Sequence, residues 1–165
     1  MGRRIPEVLN IDEFNLILKQ LKKHHHRLGV KLGFLCGLRV SEIIKLLPSD
    51  IDKGRGMIFI RQAKGKKDRI VPIPSPLSHD LKHLPMSCGI RALQIAFHNA
   101  VKKAGITKEV TFHTLRHSAA SYYLSKGMSI KEVQNLLGHS RISTTEIYLH
   151  ANPEDIQNRM KEIWK

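Results

Sequence analysis

Apolar residues recur at the spacing of an α-helix through most of this chain, and one passage breaks that rhythm. Ile11, Phe14, Leu18 and Leu21 share a helical face, with Asn10 or Asp12 as the candidate cap. A second helix is expected over roughly His26 to Cys36, stopped at Gly37. A third begins near Arg39, buries Val40, Ile43, Ile44 and Leu47, and ends at Pro48. The break follows: Met57-Ile58-Phe59-Ile60 and Arg69-Ile70-Val71-Pro72-Ile73 are rich in β-branched residues and flank the turn-like Lys64-Gly65-Lys66-Lys67-Asp68. This pattern predicts a hairpin with a basic tip. Beyond the proline-rich passage from Pro72 to Pro85 the helical spacing returns, with Leu93, Phe97, Ala100 and Val101 on one face and Gly105 as the stop.

Further helices are expected in quick succession. One runs from close to His113 to Gly127. Ser129 with Glu132 makes a capping box for the next, which carries Val133, Leu136 and Leu137, and Ser143 with Glu146 repeats that pattern ahead of Tyr148. Asn152-Pro153 opens the last, striped by Ile156, Met160, Ile163 and Trp164. The expected architecture is mainly α (α+β), a helical domain with a small antiparallel β-sheet. Residues 1–10 read as a basic lead-in resembling a linker, and 11–165 as the domain proper.

Charge narrows the partners. Lys and Arg number 28 against 14 Asp and Glu, a net charge of +14, which suits a polyanion and above all a nucleic acid. Cys36 and Cys88 are too few for a disulfide framework, and Cys36 lies in an apolar run as a small core residue. No apolar stretch reaches the length of a membrane span. His24-His25-His26 invites a metal reading, but adjacent helical histidines point in different directions, so a solvated basic face is expected and no metal.

Metal-free cleavage of DNA needs a nucleophile for phosphorus, cations for the phosphoryl oxygens and an acid for the leaving oxygen. Arg39 and Arg116 offer planar guanidinium forks, Lys64 a cation at the hairpin tip, His113 and His139 groups that titrate near neutrality, and Tyr148 a nucleophile. Each alone has an ordinary structural reading: a salt-bridged arginine, a turn lysine, a cap-region or loop histidine, a half-buried tyrosine. Their joint arrangement argues against those readings. His117 points away from Arg116 along the helix and is read as structural, and Tyr122-Tyr123 as helix packing.

The resemblance is specific at this point. Gly37-Leu38-Arg39-Val40-Ser41-Glu42-Ile43, Ala63 through Pro72, Thr111-Phe112-His113-Thr114-Leu115-Arg116-His117, Leu136-Leu137-Gly138-His139-Ser140 and Ser143-Thr144-Thr145-Glu146-Ile147-Tyr148 resemble, in order, the five motifs of the tyrosine recombinases, which include phage integrases and Xer-type resolvases. The resemblance implies that fold and a catalytic set of Arg39, Lys64, His113, Arg116, His139 and Tyr148, supported by Glu42 as an orienting acid. Arg39 and Arg116 would clamp the scissile phosphate, and Lys64 would protonate the leaving oxygen. His113 would assist proton removal from Tyr148, and His139 would hydrogen-bond a phosphate oxygen. DNA contacts are expected from Lys64, Lys66, Lys67, Arg69 and Arg141. It implies no cofactor, a double-stranded DNA partner, a homotetramer on DNA from a free monomer, and a cytoplasmic, nucleoid-associated location.

Family members usually carry an N-terminal helical domain that closes around DNA, and the expectation here is a chain lacking it: a fragment, ahead of a minimal enzyme or a split-gene remnant. The final helix either folds back or docks on a neighbouring subunit. The rival class is a non-catalytic DNA-binding module, since residues 114–137 superficially resemble a helix-turn-helix with Gly127 at the turn. That reading leaves Arg39, Lys64, His139 and Tyr148 unexplained. A type IB topoisomerase shares the chemistry, but the Leu-Gly-His motif and compact length favour a recombinase.

Overall fold

A computed structural model describes residues 7–61, 67–138 and 153–165. Its described elements are seven α-helices and a three-stranded antiparallel sheet, with short 3₁₀ turns between them. Helix α1 (Ile11–Gln20) is capped by Asn10, not Asp12: its side chain accepts from the Glu13 amide at 2.9 Å, and Glu13 returns a bond to the Asn10 amide at 2.9 Å. Helix α2 (His24–Leu35) starts two residues before the expected position and forms the centre of the core. Leu28, Val30, Leu32 and Phe34 are wholly buried along it, so it carries apolar residues round most of its circumference. The lead-in does not stand free. Leu9 is buried, and its amide donates to Ser118 Oγ at 2.8 Å.

Helix α3 (Val40–Lys45) is shorter than expected. It ends before Leu46, which turns into the core, and leaves Leu47 46% exposed, correcting the expectation that Leu47 is buried. Strand β1 (Ile51–Asp52), too short to show in the sequence pattern, pairs with β2 (Met57–Ile60), which pairs with β3 (Arg69–Pro72). Ile58 faces Val71 and Ile60 faces Arg69, so all four lie on the face turned to the core, while Phe59 and Ile70 look outward. The hairpin tip lies outside the described residues.

Helix α4 (Ile90–Lys103) buries Leu93, Phe97, Ala100 and Val101 as its spacing requires. Helices α5 (Phe112–Ser125) and α6 (Ile130–Leu137) follow, α6 opening on the Ser129–Glu132 capping box. Helix α7 (Pro153–Ile163) packs on its own chain: Ile156 and Met160 are buried, and Gln157 Nε2 donates to Arg55 O at 2.8 Å. At its end Trp164 stacks on Tyr122, with centroids 5.2 Å apart, and donates from Nε1 to the Tyr123 hydroxyl at 3.3 Å. That hydroxyl in turn donates to Leu35 O at 2.5 Å, and burial raises its pKa well above the usual tyrosine value. Tyr123 is thus a packed, fully engaged residue, as its sequence surroundings suggested.

Candidate active site

Two glycines and one carboxylate bring the described site residues together. Gly37, which follows α2 with φ +64°, and Gly138, which ends α6 with φ +68°, both adopt the left-handed conformation that other residues resist. A side chain at either would force a neighbour to move. A Cβ on Gly37 would lie 2.1 Å from Leu137 Cδ2, and one on Gly138 would lie 2.6 Å from Arg69 Cδ. The ends of α2 and α6 therefore approach closely enough for one side chain to bridge them. That side chain is Arg116, projecting from α5: its guanidinium donates to Gly37 O and to Leu137 O, each at 2.6 Å, and it is 3% exposed.

Glu42 is the second organiser. As the third residue of α3 it reaches back to the Arg39 amide at 2.9 Å through Oε2, and its Oε1 accepts from Arg39 Nη1 at 3.1 Å. Arg69 meets the same carboxylate with a two-pronged pair, Nη1 to Oε1 at 2.8 Å and Nη2 to Oε2 at 2.9 Å. Its Nε donates to Leu136 O at 3.2 Å. Arg69 was expected at the DNA surface. Its side chain is 8% exposed, because Arg69 shares the inward face of β3 with Val71. Arg39, in contrast, remains 35% exposed beside it.

The result is a shallow cluster of positive charge on a buried frame. Burial first, and then the neighbouring Arg39 and Arg69, push Arg116 down to about 10, with Glu42 opposing, so it stays charged at neutral pH. His113, exposed at the start of α5, is lowered from the ordinary imidazole value by partial burial, then by His117, Arg116 and Arg39. His117 touches its ring edge-on at 4.7 Å, so the residue read as structural borders the cluster. Arg39, His113 and Arg116 thus lie within electrostatic reach of one another, Arg39 held by Glu42 and Arg116 by the two carbonyls. Lys67 is exposed at the end of the hairpin. Lys64, Lys66, His139, Arg141 and Tyr148 lie outside the described residues.

Such an arrangement can hold a tetrahedral oxyanion, with one fixed and one partly exposed guanidinium and a histidine at the rim. Among the described residues, the group of His and Cys side chains close enough to share a metal ion lies elsewhere, at His25, His26 and Cys88. The sequence reading missed that grouping, and it also missed the part of Arg69.

A profile of the phage integrase family matches residues 7–89 and 90–155, together nearly the whole chain. The chain belongs to the phage integrase family. Among relatives of this phage integrase domain, a tyrosine recombinase of Pseudothermotoga lettingae is 40% identical over an alignment covering 90% of this chain and 58% of the relative. The crystal structure of a XerA recombinase superposes with a TM-score of 0.77 at 28% identity, covering 99% of this chain and 65% of that one. A lambda integrase tetramer bound to a Holliday junction shares the fold, with a TM-score of 0.67 at 23% identity over 89% of this chain and 52% of that one. The integrase-family chain spans about three-fifths of the length of the curated relatives it matches. None of its described helices is long and apolar enough to cross a membrane.

Proposed function

We propose that this chain is the catalytic part of a site-specific DNA recombinase that cuts and rejoins strands through a covalent 3′-phosphotyrosine. The observation that carries the reading is the seating of Arg39 on Glu42 and of Arg116 on the carbonyls of Gly37 and Leu137, with His113 one turn from Arg116 on α5 and within electrostatic reach of both arginines. In this mechanism Arg39 and Arg116 bind the non-bridging oxygens of the scissile phosphate and stabilise the charge that builds there during attack. The Tyr148 hydroxyl attacks phosphorus, and His113 assists removal of its proton. The bond to the 5′-oxygen breaks, and Lys64 protonates that oxygen. His139 hydrogen-bonds a phosphate oxygen. The phosphodiester energy stays in the tyrosyl ester, so a 5′-hydroxyl can attack it in reverse and reseal a strand without ATP or a metal.

The partner is double-stranded DNA, contacted also by Lys66, Lys67 and Arg141. The assembled state on DNA is a homotetramer, like the lambda integrase solved on a junction, and the free protein is a monomer. The proposed setting is the nucleoid of the cytoplasm. Residues 11–165 form the catalytic domain and 1–10 the lead-in to it, anchored at Leu9. Incubation with a pool of nicked, labelled duplexes followed by denaturing electrophoresis tests the reading. The expected result is an SDS-resistant shifted band that Tyr148→Phe abolishes. A band that survives this substitution would move the nucleophile elsewhere. DNA binding with no band, across a pool containing sites cut by the related recombinases, would favour a non-catalytic binding module.

A further inference from the structure

We propose that His25, His26 and Cys88 form a binding site for a divalent cation of the zinc class, separate from the arginine cluster. The two histidines occupy the first turn of α2, and Cys88 lies in the segment leading into α4. One ligand atom from each comes within 4.8 Å of the other two. With metal–nitrogen and metal–sulfur bonds of about 2.0–2.3 Å, tetrahedral ligands sit roughly 3.3–3.5 Å apart, so small side-chain rotations close the site. All three residues are half-buried, shielded enough to hold an ion and open enough to admit one. Imidazole nitrogen with thiolate sulfur is the donor set that selects zinc over magnesium or calcium.

The three consecutive histidines are not equivalent. His24 stacks face to face on His83, with ring centroids 4.4 Å apart and planes within 6°. His25 and His26 instead meet at 75°, with centroids 4.5 Å apart, and converge on Cys88 despite their adjacency in the helix. Cys88 forms no disulfide. Burial raises its thiol above the ordinary range while nearby Lys23 acts the other way. On metal binding the sulfur releases its proton to solvent and bonds the cation as thiolate, and the fourth position is left for water. The exposed Lys23 ammonium opposes the cation, and the thiolate charge offsets it. The bound ion would tie the start of α2 to the approach to α4.

The test uses untagged protein and the metal alone. Titration with Co²⁺ is expected to saturate at one equivalent and to give a thiolate-to-cobalt charge-transfer band that Zn²⁺ displaces. Cys88→Ser should abolish the band. His25→Ala and His26→Ala should each weaken Zn²⁺ binding at least tenfold in competition with a chromophoric chelator, and His24→Ala should change it less than twofold. Zn²⁺ should raise the melting temperature of the wild type but not of Cys88→Ser, whose fold is checked by circular dichroism. If Cys88→Ser does not fold, Cys88→Ala takes its place. Absence of uptake by the wild type, a band retained without Cys88, or equal weakening by His24→Ala would overturn the proposal.

Discussion

Glu42 links two arginines, because its two oxygens accept both the side chain and the amide of Arg39 and both prongs of Arg69. Glu42→Ala leaves Arg69 buried without its partner and is expected to destabilise the fold by about 3–5 kcal/mol in urea unfolding. The paired change Glu42→Leu with Arg69→Met removes both charges and should recover most of that loss, while strand cleavage stays impaired because Arg39 is no longer held. Recovery of cleavage along with stability would show that Glu42 is only a structural partner. Arg116→Ala strips two buried carbonyls of their donor and should cost about 2–4 kcal/mol as well as abolishing the covalent band. His113 carries a pH signature. Its pKa is lowered in the free protein by burial, then by His117, Arg116 and Arg39, and an arriving phosphate counters those cations. Its pKa then rises on DNA binding, so a proton is taken up at and somewhat below the ordinary imidazole pKa of about 6.5. Calorimetry in two buffers of different ionisation heat should show that uptake, reduced in His113→Gln. That Arg39, Glu42, His113 and Arg116 lie near one another was legible in the sequence, because a shared chemical rationale groups their motifs. The inward seat of Arg69 was not drawn from the sequence, although its place two residues before the buried Val71 in a period of two points to it.

Among the elements, α4 and α6 follow their sequence patterns closely, since four inward residues in one case and a capping box in the other leave little freedom. The end of α3 was harder to read. Its apolar spacing continues through Leu47, but the chain leaves the helix after Lys45 and buries Leu46 instead. Strand β1 is two residues long and is defined by its pairing with β2, which local sequence cannot reveal. The end of α6 is the sharpest test of close approach. Gly138→Ala must adopt φ +68° and place a Cβ against Arg69, so it should lose about 1–2 kcal/mol from the backbone alone, and more if Arg69 is displaced from Glu42. A urea midpoint unchanged from wild type would contradict the close packing. Helix α7 was undecided between its own core and a neighbour, and its contacts favour the former. Truncation of residues 153–165 should therefore give a less stable, aggregation-prone protein, detectable by light scattering, and not a well-folded monomer.

For the whole molecule, a net charge of +14 was the sequence's clearest statement about partners. Binding to duplex DNA should weaken steeply with salt, with log K falling against log salt by about 0.9 for each phosphate neutralised. A flat salt response would remove phosphate contact as the source of affinity. The family motifs gave the order of the site residues along the chain. They could not give the seat of Arg116, which depends on two helix ends meeting in space. That seat has a practical consequence. Backbone carbonyls are present whatever side chain a residue carries, so the orientation of Arg116 is insensitive to the chemical character of its neighbours as long as Gly37 and the end of α6 keep their path. An engineer could redraw the surrounding surface, and the arginine would keep its seat on the two carbonyls.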